Sequence, residues 1–114
     1  MTIHITYLTT DSISEGVGAS QIIPLICRLA KKDFKVHLIS LEKVETKSEV
    51  FEKLSEHGIT WSRLDFGVNG SLGGLRRLFR LKNAIGVTDL IHARSDISAL
   101  AGLISGKAPV LWDV

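Results

Sequence analysis

Apolar residues along this chain follow two alternating rhythms. Five short runs, Ile3–Leu8, Val36–Leu41, Ile59–Leu64, Asp89–Ala93 and Pro109–Asp113, carry β-branched and aromatic types and read as strands. The second is mostly apolar, as befits a strand covered on both faces. Between the runs, apolar positions recur three and four residues apart, the spacing of a helix with one buried face. The first helix runs to about Lys32, with Ile22, Leu25, Ile26, Leu29 and Ala30 as its stripe. The second spans Ser48 to His57, with Val50, Phe51 and Leu54 inward. The third covers Leu75 to Ala84, where Leu75, Leu78, Phe79 and Lys82 share a face, and the fourth is Ile97 to Ser105, with Ile97, Leu100, Ala101 and Ile104 inward.

Local signals agree with these limits. Pro24 belongs in the first turn of its helix or kinks it, because it has no N–H to donate. Gly58 and Gly106 stand where helices stop, and Ser95 or Asp96 is placed as an N-cap. Gly67 to Gly74 holds four glycines and reads as a flexible link, or else as a mobile loop over the sheet edge.

Five strand patterns alternating with four helix patterns predict an α/β fold. The expected form is a Rossmann-like three-layer sandwich, a single domain over 1–114, with a parallel five-stranded sheet. Right-handed crossovers give the strand order 3-2-1-4-5. Such sheets bind ligands beyond the carboxyl ends of their strands, at the switch point between strands one and four. That rule selects Thr9 to Gly18, His92 to Asp96, and Asp113.

Composition narrows the picture only a little. The chain is 45% hydrophobic and 23% charged, ordinary for a globular protein, and its formal charge of +2 gives no ground for a nucleic-acid partner. Cys27 is the only cysteine, which suits a reducing compartment, and it reads as a packing residue. With no signal-peptide pattern and no apolar run near ~20 residues, the expected compartment is the cytoplasm. Arg76, Arg77 and Arg80 rim the third helix. A short basic amphipathic helix rests on an anionic membrane surface at its inner face, or is simply packed with its basic side out.

Candidate chemistry gathers in the loop after the first strand, Asp11 to Gln21. A strand, a glycine-bearing loop and a helix N-terminus make an anion site in many α/β proteins. Gly16-Val17-Gly18 opens like a dinucleotide fingerprint, and Glu42 stands about where a ribose-binding acid would. Against that, Gln21 replaces the third glycine and Thr9 to Glu15 intervene before the first. An ordinary loop whose glycines only make the turn is the plain alternative. No His/Cys/Asp/Glu cluster has metal-ligand spacing, so no metal is expected.

The order of Tyr7-Leu8, the loop ending Glu15-Gly16-Val17-Gly18, an apolar helix, Phe34 to Ser40, His57-Gly58-Ile59 and Asp89 to Arg94 resembles the N-terminal half of GT-B glycosyltransferases. The likeness is closest to the large retaining family four and covers essentially the whole chain. It implies an acceptor-binding domain that works with a second Rossmann-like domain holding a nucleotide-sugar as co-substrate, with no cofactor. The acceptor would be a glycan or lipid-linked. By this resemblance Glu15, Gly16, Val17 and Gly18 form the donor-phosphate or acceptor loop, and His92 or Arg94 faces the transferred sugar. Many members carry histidine where Arg94 stands. Asp113 matches an acidic position after strand five, and with Asp11 and Ser95 it is expected on the acceptor side.

The chain departs from that pattern in one respect: it ends at Val114, short of the family's N-terminal domain, and has no Glu-x7-Glu pair. The expectation is therefore a fragment, inactive alone, that lacks its donor domain and self-associates through uncovered apolar sheet. A nucleotide- or dinucleotide-binding domain, or an interaction domain without chemistry, are the other two readings.

Overall fold

A computed structural model describes residues 2–13, 18–42, 48–67 and 71–113. Strand β1 (Ile3–Thr9) leads through a π-helical turn (Gly18–Ile22) into helix α1 (Ile23–Lys31). Then follow β2 (Phe34–Glu42), α2 (Ser48–Glu56), β3 (Thr60–Asp65), α3 (Ser71–Ala84), β4 (Leu90–Arg94), α4 (Asp96–Ser105) and β5 (Val110–Asp113). All strand pairs are parallel and the order is β3-β2-β1-β4-β5, as the alternating pattern predicts.

Period-two alternation sends neighbouring side chains into two separate cores. Tyr7 and Leu38 face a layer built by α1 and α2, where Ile22, Ile26 and Leu54 are fully buried. Leu8, Ile39 and Ile91 face the other layer, against Leu81 of α3 and Ala99 and Ala101 of α4. A latch fixes the start of β4 against β1. The His4 N–H donates to Asp89 Oδ2 (2.8 Å), the Asp89 N–H donates to the His4 carbonyl (2.8 Å), and Thr88 Oγ1 donates to that same carbonyl (3.1 Å).

Gly58 (φ +73°) and Gly106 (φ +63°) end α2 and α4 in the left-handed conformation. Pro24 lies in the first turn of α1, where no donor is lost. Cys27 is buried among apolar neighbours, and burial pushes its thiol above the usual range.

Three local expectations need correction. First, α3 begins at Ser71, so Gly73 and Gly74 are helical and not part of a link. No proline blocks this turn, and packing of Leu78, Leu81 and Ile85 outweighs the weak helix propensity of glycine. Second, Leu75 and Phe79 do not share the inward face with Leu78; they stand 50% and 47% exposed. Third, α4 buries Ser98, Ala99, Ala101 and Gly102 and turns Leu100 and Ile104 outward. Small residues let it lie close on the sheet: a Cβ on Gly102 would be 3.0 Å from Val110 Cγ2 and 3.2 Å from Ile91 Cγ2.

Candidate functional site at the carboxyl ends of the central strands

Tyr7 and His92 are register partners on β1 and β4, so their side chains rise from the same face of the sheet. Their rings stack, with centroids 4.6 Å apart and planes 29° from parallel. One step further along, Thr9 pairs with Arg94, and Arg94 with Asp113. The topology thus delivers Tyr7, His92, Arg94 and Asp113 to one corner of the rim, and the loop after β1 brings Asp11.

Two carboxylate pairs, Asp11 with Arg94 and Asp113 with His92, flank the stacked rings. Arg94 Nε donates to Asp11 Oδ2 at 3.1 Å, and its Nη2 donates to Gln21 Oε1 at 2.8 Å. His92 Nε2 lies 3.4 Å from Asp113 Oδ2. The Asp11 N–H donates to Thr9 Oγ1 (2.9 Å), a short turn that aims the carboxylate toward β4. The side chains of Asp11 and Asp113 are 49% and 42% exposed, those of Arg94 and His92 25% and 14%. The cluster is therefore open on its carboxylate side and more closed on the side of Arg94 and His92.

Tyr7 lies beneath this cluster, completely buried, its hydroxyl beside Arg94 and without a hydrogen bond of good geometry among the described residues. Burial pushes the phenol above its ordinary pKa, and the neighbouring Arg94 offsets only part of the shift. For Arg94, burial opposes the charge, but Tyr7 and Asp11 outweigh it and the guanidinium stays charged.

The loop is anchored from its other side by Glu42, only 2% exposed at the end of β2. Its Oε1 accepts from Ser12 Oγ (2.7 Å), and its Oε2 accepts from the Ile13 N–H (3.1 Å) and Ser40 Oγ (2.8 Å). Ser40 Oγ in turn accepts from Trp61 Nε1 (2.8 Å), and the Glu42 carbonyl accepts from the Phe66 N–H (2.9 Å). This acid is placed as the dinucleotide reading expects, yet both its oxygens are taken by the protein, so it holds the loop and offers nothing to a ribose.

Of the residues selected from sequence, His92, Arg94, Asp11 and Asp113 come together here. Ser95 follows at the same corner, but its Oγ accepts from the Ser98 N–H (3.2 Å) and donates to Ser98 Oγ (3.0 Å), so it caps α4. It holds φ +103°, which is strained for a residue with a Cβ. Gly18 opens the π-helical turn that carries Gln21. Glu15, Gly16 and Val17 lie outside the described residues. Tyr7 and Gln21 went unread as site residues. Tyr7 is the one aromatic in β1, and once the order 3-2-1-4-5 is drawn it falls beside His92. No sequence signal singles out Gln21 for Arg94.

Among the described residues no group of three His, Cys, Asp or Glu side chains is placed to hold a metal ion. The chain matches no protein-family model and no curated protein.

Proposed function

We propose that this chain is the acceptor-side, Rossmann-like part of a glycosyltransferase, moving a sugar from a nucleotide-sugar to a glycan or lipid-linked acceptor. One observation carries the reading: Asp11–Arg94 and Asp113–His92 flank the Tyr7–His92 stack at the β1/β4 switch point. Both carboxylates stand at the open side of the corner, so it favours a polyhydroxylated ligand over a polyanion. A sugar hydroxyl both donates and accepts, and paired carboxylate and guanidinium groups meet both needs.

On this reading Asp11 and Asp113 accept from acceptor hydroxyls, and Arg94 and His92 donate toward the oxygens of the sugar being transferred. A second Rossmann-like domain would hold the nucleotide. The engaged Glu42 weighs against the dinucleotide alternative, because both oxygens of the acid that ends β2 are already held by the protein.

The test is a titration of the isotope-labelled chain with a panel of glycosides, nucleotide-sugars and NAD, followed by amide chemical shifts. Saturable shifts at Tyr7 to Ile13 and His92 to Asp96 with a sugar ligand, weakened at least about tenfold in Arg94→Ala and His92→Ala, are the expected result. Silence with every sugar, or shifts at those amides with NAD alone, would overturn the proposal.

A further inference from the structure

Helix α3 presents a surface that the sugar site does not use. Leu75 and Phe79, one turn apart, stand 50% and 47% exposed. Arg76 and Arg80, also one turn apart, form a second ridge beside them. Phe66 and Gly67, just past β3, close the other side of a groove of about 480 Å³. Arg77 lies across it with its guanidinium 4.1 Å from the centre of the Phe66 ring, and Arg80 Nη1 donates to the Asp65 carbonyl (2.7 Å). The groove is lined by three arginines and no acid.

We propose that this groove docks the protein on an anionic lipid bilayer. Leu75 and Phe79 enter the boundary between headgroups and acyl chains, while Arg76, Arg77 and Arg80 sit among the lipid phosphates. The commitment to a bilayer rests on charge complementarity combined with an apolar ridge in the same groove. A dissolved anion would engage the cations and leave Leu75 and Phe79 in water, whereas an anionic bilayer offers an acyl layer and phosphates within one helix diameter. No described helix is long and apolar enough to cross a membrane, so α3 would lie on the surface. The groove opens beside the carboxyl end of β3, on the rim that holds Asp11 and Arg94. Docking would therefore bring that rim to the membrane, whatever ligand the rim takes.

Flotation of the full chain with vesicles tests this. Vesicles of phosphatidylcholine alone are compared with vesicles holding roughly 30% phosphatidylglycerol, at low and high salt. Binding to the anionic vesicles only, lost at high salt, is expected. Arg76→Gln should lower the partition coefficient roughly fivefold, the worth of one basic residue at such a surface. Phe79→Ser should lower it as well, with an unchanged melting temperature because the ring is half exposed. Arg28→Gln removes the same charge from α1, in the opposite layer, and should leave binding intact. Equal recovery with both vesicle types, or no response to Arg76→Gln, would overturn the proposal. So would a dimer in light scattering without lipid that Phe79→Ser abolishes, since a second copy would then fill the groove.

Discussion

The two halves of the sheet treat their polar side chains differently. On β2 and β3 they close on one another. Glu42 binds Ser12, Ser40 and the Ile13 N–H, and His37 lies between the Thr60 and Ser62 hydroxyls, its Nε2 2.9 Å from Ser62 Oγ. At β4 and β5 the carboxylates of Asp113 and of Asp11, from the loop after β1, each meet one partner, His92 or Arg94, with one oxygen and keep nearly half their surface in solvent. Both regions contain acids and bases at strand ends, so residue type does not separate them. Saturation does: a carboxylate with both oxygens engaged and almost no exposure is part of the scaffold, and one half satisfied and half open can bind.

The sharpest test of that contrast is Glu42→Ala. It leaves the Ile13 N–H and the Ser12 hydroxyl without their acceptor in a buried place, and we expect a loss of about 3 kcal/mol in chemical denaturation. Arg94→Ala should cost less than about 1 kcal/mol by the same measurement, because its ion pair is partly exposed. It should nonetheless abolish the sugar-dependent amide shifts. Equal destabilisation by the two variants would break the comparison.

His37 gives a pH signature confined to the closed half. Burial holds its pKa below the ordinary 6.5, so the folded state disfavours the imidazolium. Its contribution to stability is complete above the unfolded value and is lost as pH falls through the folded one. Stability should decline as pH falls from above 6.5 toward the depressed folded value, and His37→Gln should remove part of that slope while Arg94→Ala leaves it unchanged. Ser95 is expected to move stability in the opposite direction. Glycine there relieves the strain at φ +103° but gives up the cap, so Ser95→Gly should raise stability by roughly 1 kcal/mol.

Strand and helix order, parallel pairing and the sequence of strands in the sheet could all be read from hydrophobic rhythm, because a period of two and a period near four leave different traces. The corner holding His92, Arg94, Asp11 and Asp113 followed from topology alone. Helix faces were harder. In α4 the large apolar residues suggested one face, but the sheet accepted the small one, since Gly102 against Val110 and Ile91 allows a closer fit than leucine would. In α3, Leu75 and Phe79 share a stripe with Leu78 by spacing, and only the width of the sheet beneath decides which of them finds cover. Glu42 stands at the end of β2, and which donors have already reached it depends on tertiary contacts that the sequence does not display.

The parallel register has a consequence for how the chain acquires its site. No strand meets its immediate neighbour in sequence through a hairpin, and β1, the central strand, waits for β4 before its second edge is paired. Asp11 and Arg94 are separated by 83 residues, and Tyr7 meets His92 across a comparable stretch. Contacts this distant in sequence assemble late and slowly. During synthesis the β1–β2–β3 half can form first, with Glu42 already gripping the loop. The ligand corner is then the last part of the sheet to exist, and a nascent chain halted before residue 90 would carry the scaffold without the site.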